Sequence, residues 1–374
     1  MQKTTNKTRL FILLILSMLT LLSGCEFKDI DKVTFISMIG IDQSDNSDKP
    51  FKVTVKLYVP TSSFKQSPKP QYAYLTENGE TLSEAIRLLE THSDKKLDFG
   101  HAKLVIIGEE LLKANKEKEI LDLLIRRPDI QLISWVAVGR PTAEEIIKMV
   151  PKSETAAYPA IFNYFDDNGT ESPYSVSTFL FDFRRRMVES GIDAILPIIE
   201  MEQEESQFKI NKAYVLADGK KPHELSSHNT MLYNLLSMNI DIGDLIVNEE
   251  GHSFIAKIDT IKSKYKVKVQ NDNQVRLDLD IKLFGYVSES KQSMQTKLLP
   301  QYNQLLEAEA KKSITDFFTE MLEAGYDPLG FGLKYKATTL PNQRMSMEEW
   351  QDAYKNAEIH LNITSGIKST GTIQ

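Results

Sequence analysis

Residues 265–283 read Tyr265-Lys266-Val267-Lys268-Val269-Gln270-Asn271-Asp272-Asn273-Gln274-Val275-Arg276-Leu277-Asp278-Leu279-Asp280-Ile281-Lys282-Leu283. Apolar and charged side chains alternate on both sides of the Asn271-Asp272-Asn273 turn. Successive strand residues point to opposite faces, so this is a β-hairpin with one wet face and one buried face. A sheet with a single greasy face needs a cover, and the next segment supplies it. Tyr302, Leu305, Leu306, Phe317, Phe318, Met321 and Leu322 line one side of a long helix that stops at Gly325. Phe331, Leu333 and Tyr335 alternate again and are expected as a strand. Ser346 with Glu349 caps a helix carrying Trp350 and Tyr354, and Ala357, Ile359, Leu361 and Ile363 form a final strand. Residues 261–374 are thus expected to form a C-terminal antiparallel sheet with a long helix.

Upstream, residues 33–41 are nearly all apolar and predict a buried strand, whereas 51–59 alternate and predict a half-exposed one. Residues 60–70, rich in Ser, Lys and Pro, predict a loop, and 72–75 resume the sheet. Thr81 with Glu84, and later Thr142 with Glu145, read as capping boxes ahead of helical apolar spacing. Residues 104–107 and 130–138 predict strands. Residues 120–125 predict a helix ending before Pro128, and Phe179, Phe183 and Met187 predict an amphipathic helix before Gly191. The segment 195–199 is expected as the last strand of an N-terminal domain, residues 25–200. The polar run 201–205 reads as a linker into a small middle domain, 201–260, with a strand near 213–216, a turn at Gly219, a helix around 230–238 and a strand near Leu245. The fold class expected is α+β: three domains, each a mixed or antiparallel sheet with helices packed on it.

The N-terminus carries a different signal. Lys3, Lys7 and Arg9 precede an apolar run from Leu10 to Leu22, followed by Ser23, Gly24 and Cys25, the only cysteine in the chain. The run is too short for the roughly 20 residues that cross a bilayer and fits the core of an export signal. Leu22-Ser23-Gly24-Cys25 reads as a lipobox, with residues 1–24 as signal peptide and the Cys25 thiol as the nucleophile that would carry diacylglycerol. A single cysteine so used leaves none for a disulfide. With 45 basic against 52 acidic residues the net charge is −7, more negative once the basic leader is removed. Such a body is repelled by phosphates, so nucleic acid is not an expected partner.

Motifs that carry chemistry are sparse. His223 and His228 stand five apart; on a helix their rings would diverge by about 140 degrees and could not share a metal. Ser206 with Lys209, and Ser263 with Lys266, fit Ser-x-x-Lys, but neither Ser-Asp-Asn nor Lys-Thr-Gly accompanies them. Asp166 with Asp167, and Glu202 with Glu204 and Glu205, could supply paired carboxylates; adjacent acidic residues in loops are more often solvated turns. No catalytic residue, metal site, cofactor site or small-molecule site is identified. Arg184-Arg185-Arg186, between Phe183 and Met187, is the one basic concentration. A partner's acidic loop or lipid phosphates could dock there, the alternative being the wet face of a helix.

Three stretches together form a pattern. Cys25-Glu26-Phe27-Lys28-Asp29-Ile30 with Met38-Ile39-Gly40-Ile41-Asp42 is the first. Gly100-His101-Ala102-Lys103-Leu104-Val105-Ile106-Ile107-Gly108-Glu109, leading to Arg126-Arg127-Pro128-Asp129, is the second, and Gly325-Tyr326-Asp327-Pro328-Leu329-Gly330-Phe331-Gly332 the third. In this order behind a lipobox they resemble the Ger(x)C lipoproteins, the C subunits of GerA-, GerB- and GerK-type nutrient germinant receptors in bacterial spores. Glu26-Phe27 stands where many members carry Trp-Asp. The resemblance implies three domains, an extracytoplasmic place at the spore inner membrane, and a complex with the integral membrane A and B subunits. It brings no catalytic residue. The expected function is that of a non-enzymatic, lipid-anchored receptor subunit needed for germination in response to nutrients. The alternative is a solute-binding lipoprotein of a transporter.

Overall fold

A computed structural model describes residues 11, 30–58, 72–154, 159–166, 169–202, 204, 206–238, 240–249, 251–270 and 273–369. The lipobox with Cys25, the 60–70 loop, Asp167, Glu205 and the Asn271-Asp272 turn lie outside these residues.

The first sheet is built from β1 (Val33–Gln43), β2 (Phe51–Tyr58) and β3 (Tyr72–Gly79), then, after α1 (Leu82–Glu90), β4 (Lys96–Asp98) and β5 (Leu104–Gly108). Two helices, α2 (Glu109–Lys113) and α3 (Glu117–Arg126), lead to β6 (Trp135–Arg140). Helices α4 (Ala143–Lys148) and α5 (Leu180–Val188) then lead to β7 (Ala194–Glu202), β8 (Gln207–Leu216) and β9 (His223–Leu225). The strand order is β3-β2-β1-β5-β6-β7-β8-β9, with β4 beside β1. Strands β1, β5, β6 and β7 are mutually parallel, and the outer strands antiparallel. Every residue of β5 is buried, because helices cover both faces. Val105, Val136 and Ile107 meet α1, α3 and α5 on one face; Leu104, Ile106 and Ala137 meet α4 and the turn around Phe162 on the other.

The second part comprises α6 (Ser227–Ser237), β10 (Gly243–Glu249), β11 (His252–Val269), β12 (Val275–Ser290), α7 (Leu299–Ala324), α8 (Phe331–Thr338), α9 (Met347–Lys355) and β13 (Glu358–Ile367). The hairpin expected around 265–283 is β11–β12. Leu277, Leu279 and Ile281 face the core, and Lys262, Lys264 and Lys266 face out. Helix α7 covers the buried face through Leu306, Ala310, Phe317 and Met321, and Gly325 ends it in the left-handed region, φ +72°. Ser346 and Glu349 form the full capping box of α9. The architecture is α+β, two sheets with helices on them.

Several expectations are corrected. Strand β2 is not half-exposed: Thr54 and Lys56 are buried, because α4 and the 149–154 segment cover that face. Lys56 is tolerated there because its ammonium meets Glu154 at 3.1 Å. The strand expected over 130–138 begins only at Trp135. Turn hydrogen bonds from Ile130 to Arg127 and from Ser134 to Gln131 interrupt it and leave Leu132 and Ile133 exposed. Phe331, Leu333 and Tyr335 lie on helix α8, since Phe331 and Tyr335 are also spaced for one helical face. The last strand, β13, runs parallel to β12, because three helices intervene and bring the chain back to the starting edge. Met201 and Glu202, expected in a linker, belong to β7 and pair with Phe208 and Gln207 of β8, so 195–199 is not the last strand of the first sheet. The stretch 201–260 is shared out: β8 and β9 extend the first sheet, while β10 and the start of β11 belong to the second. Ile195, Val215 and Leu225 consequently sit in the same core as α7.

Candidate functional site

The segment 325–332 turns the chain between α7 and α8 and meets the first sheet at the entrance to β7. Gly330 adopts φ +78°, a conformation open to glycine, and exposes the first amides of α8. The Asp327 carboxylate collects them. Oδ1 accepts from Gly330 N–H at 2.8 Å and Phe331 N–H at 3.0 Å, and Oδ2 accepts from Gly332 N–H at 2.8 Å. Asp327 N–H donates to Asp193 Oδ2 at 2.6 Å, and Asp193 N–H donates to Asp327 O at 2.9 Å. Leu333 N–H donates to Gly191 O at 2.6 Å. A side chain on Gly191, φ +92°, would stand 2.5 Å from the Gly332 carbonyl carbon, and one on Gly332 would stand 2.6 Å from Trp350 Nε1. Two glycines thus let two backbones touch. Burial pushes the Asp327 carboxyl up to about 7, against the pull of the three amides, and burial also raises Asp193.

The arginine triplet divides at this joint. Arg186 points inward, donating to Asp193 O at 3.2 Å and Pro328 O at 3.0 Å and pairing with Asp182 at 2.8 Å. Arg185 is exposed and pairs with Asp182 at 2.8 Å; Arg184 is half-exposed. One residue of the three therefore fastens the two halves, and two face solvent.

At the opposite edge, the carboxyl ends of the parallel strands carry a second charged cluster, centred on Arg140. Its guanidinium donates to Glu200 at 2.7 Å, Glu224 at 2.7 Å and Tyr214 Oη at 2.8 Å, and it also holds Glu109. Burial alone would raise Glu109, yet hydrogen bonds from Arg140, Tyr214 and Lys113 outweigh it and bring its carboxyl to about 2. Open parallel sheets usually bind ligands at this edge. Here a saturated ion network fills it, and a carboxylate held so low is poorly matched to proton transfer near neutrality. The network instead ties β8 and β9 to the ends of β5, β6 and β7. Nothing in the sequence marked Arg140, whose partners lie 31 to 84 positions away.

The other singled-out residues are placed as follows. His223 on β9 meets Glu320 of α7 at 2.7 Å, while His228 lies on α6. Among the described residues no group of three or more His, Cys, Asp or Glu is disposed to hold a metal. Ser263 faces the core and Lys266 the solvent, on opposite faces of β11, so they cannot act together. Ser206 sits in the β7–β8 turn at φ +53°, and Lys209 pairs with Glu202 at 3.5 Å. Asp166 lines a cavity of about 350 Å³ with Tyr164, Phe165, Ser175, Asn234 and Asp241, where the 159–178 segment meets α6. No described helix is long and apolar enough to cross a membrane.

These features define a two-sheet α+β protein in which one hydrophobic core spans both halves and a buried aspartate joint fastens them. Residues 26–201 match the model of the spore germination protein N-terminal domain, and residues 211–371 that of the spore germination B3/GerAC-like C-terminal domain. The chain belongs to the GerAC-like family of spore germination proteins. It is similar to spore germination protein B3 of Bacillus subtilis (strain 168), with 24% identity over 295 residues, covering 78% of this chain and 77% of that protein. Similarity to spore germination protein KC of the same organism is 21% identity over 357 residues, covering 87% of this chain and 86% of that one. Its fold is similar to that in the crystal structure of the GerBC protein, with a TM-score of 0.57 and 17% identity, covering 88% of this chain and 97% of that chain.

Proposed function

We propose that this chain is the lipid-anchored, non-enzymatic subunit of a nutrient germinant receptor, working with integral membrane A and B subunits at the outer face of the spore inner membrane. The observation that carries the reading is the span of the two matched family regions, which start at residue 26, directly behind Cys25, and run to residue 371. Cleavage before Cys25 would release a chain that begins where the family begins. Diacylglycerol on Cys25 would then hold it at the membrane, since the described residues offer no spanning helix. The buried charges described above are engaged in fastening the protein to itself, which supports a subunit that presents surfaces.

The test is genetic and chemical. Spores lacking the chain should lose refractility more slowly in the nutrient mixtures that this receptor serves, and the wild-type chain, but not Cys25→Ala, should restore the rate. Intact-mass measurement of the membrane-extracted protein should show diacylglycerol on Cys25. Full restoration by Cys25→Ala would remove the anchor from the mechanism.

A further inference from the structure

The short helix α5 has two apolar faces where an ordinary surface helix has one. Leu180, Phe183 and Met187 are buried against the first sheet. On the outward side Phe181 is 47% and Val188 62% exposed, two helical turns apart, with Arg184 and Arg185 between them. Beside Phe181 stands the turn that interrupts the expected 130–138 strand: Phe181 N–H donates to Leu132 O at 2.9 Å, and Leu132 and Ile133 are 47% and 65% exposed. Phe181, Arg184, Arg185 and Val188 thus share one helical face at i, i+3, i+4 and i+7, with Leu132 and Ile133 beside its Phe181 end and Arg185 also paired with Asp182 at 2.8 Å. Such a patch exposed to water marks a place where water is meant to leave.

Its position says what replaces the water. Strands β1, β5, β6 and β7 are parallel, so their N-terminal ends lie along one edge of the sheet. Leu132 and Ile133 immediately precede β6, and Val188 precedes β7. The chain itself enters at this same edge, at Val33. Cys25 is eight residues upstream, a reach of at most about 28 Å when fully extended. A lipid on Cys25 is therefore tethered at this edge, which is nearer to the attachment point than the opposite one bearing the Arg140 network by the length of β6, about 20 Å. Phenylalanine and aliphatic side chains interleaved with arginine suit an interface in which apolar groups enter the acyl boundary and guanidinium groups remain among phosphates. The protein as a whole is acidic, with net charge −7, and an anionic surface would repel it elsewhere.

We propose that the outward face of α5, together with the Leu132-Ile133 turn, rests on the anionic bilayer in which the chain is anchored, and so fixes how the body stands on the membrane. The proposal rests on the Cys25 anchor proposed above. It assigns Phe181, Val188, Leu132 and Ile133 to the acyl boundary and Arg184 and Arg185 to lipid phosphates, while Arg186 stays in the joint between the halves.

The test uses the complete lipidated chain in vesicles containing phosphatidylglycerol and a doxyl-labelled lipid. Phe181→Trp is the reporter, and Glu202→Trp, at the carboxyl end of β7, is the reference, each read as the difference from the unsubstituted chain, whose Trp135 and Trp350 also fluoresce. Quenching at position 181 should exceed that at 202 at least twofold. It should fall by more than half in phosphatidylcholine vesicles or when Arg184→Gln and Arg185→Gln are added. Equal, weak quenching at both positions, with the protein still floating with the vesicles and diacylglycerol found on Cys25, overturns the proposal and leaves the anchor standing. A bare Cys25 in protein that does not float overturns both. If position 181 is shielded only in native membranes and not in these vesicles, the occupant is another polypeptide and the assignment to lipid is overturned.

Discussion

Asp193 and Asp327 are joined backbone to side chain and backbone to backbone. Asp327 N–H reaches the Asp193 carboxylate at 2.6 Å, and Asp193 N–H returns to the Asp327 carbonyl at 2.9 Å. The first residue immediately precedes β7 and the second lies in the turn into α8, so a bond between two aspartates is a bond between the two halves of the protein.

This pair makes stability depend on pH in a definable direction. The folded Asp327 carboxyl titrates at about 7 and the unfolded one at 3.8, so between these values the folded protein holds a proton that the unfolded chain has released. Stability is therefore fullest below about pH 4 on this account and is lost as pH rises through about 7, by on the order of a few kcal/mol. Asp193, raised by burial, acts in the same sense, while Lys220 and Arg186 nearby favour its ionised form and moderate it. Tyr265 and Tyr354, which also face Asp327, stay neutral throughout this range because burial raises them. Urea midpoints at pH 5.0 and 7.5 should differ, with the lower pH more stable. Asp327→Asn should flatten that difference and also lower both midpoints, since an amide nitrogen cannot accept from Gly332 N–H. An unchanged slope in the variant would assign the titration elsewhere.

Gly191→Ala should destabilise the protein by about 2 kcal/mol or more, because left-handed strain adds to a 2.5 Å approach to the Gly332 backbone. Gly219→Ala is the matched control. Gly219 has φ +69° with nothing within 4 Å of the added carbon, so only the strain of about 1 kcal/mol should appear. Similar losses at both positions in chemical denaturation would mean that the glycine contact contributes nothing of its own.

Replacing Arg140 with Met should cost about 2–3 kcal/mol, somewhat less than for a fully buried pair because the guanidinium is partly exposed. The loss comes from Glu109, Glu200 and Glu224, left facing one another without their common cation. Adding Glu109→Gln to Arg140→Met should recover part of the loss. A double-mutant cycle in thermal unfolding that shows no coupling would sever the network.

Lys56→Met leaves Glu154 buried without its cation and should destabilise by about 3 kcal/mol, whereas Lys56→Met with Glu154→Gln should be much closer to wild type. Burial lowers the Lys56 ammonium and Glu154 only partly offsets it, so the single variant is damaging chiefly through the carboxylate it abandons.

Legibility varied along the chain with the range of the deciding contact. The alternation over 265–283 is a local signal, and β11–β12 with its α7 cover followed from it. Lys56 reads as a solvent-facing residue because its cover, Glu154, lies 98 positions away. Phe331, Leu333 and Tyr335 fit both a strand and a helix; what decides is the Asp327 carboxylate gathering three amides, and Asp327-Pro328-x-Gly330 ahead of the run was the available hint. The arginine triplet was visible as charge. Helical spacing from Leu180, Phe183 and Met187 could have separated Arg184 and Arg185, which share the outward face, from Arg186. Asp193 and the Arg140 cluster gave no sign, because their partners come from strands and turns far away in sequence. Cys25 lies outside the described residues, and its role remains with the experiments above.

The hairpin that carries the chain from β7 into β8 lies between the two matched family regions, which end at residue 201 and resume at 211, and it would tempt anyone dividing the gene into halves. Severing it would strip β8 from β7 and leave a long apolar strand with a bare row of amides and carbonyls, an invitation to self-association. The two pieces have to be inherited, expressed and engineered as one, for the later piece finishes the fabric of the earlier.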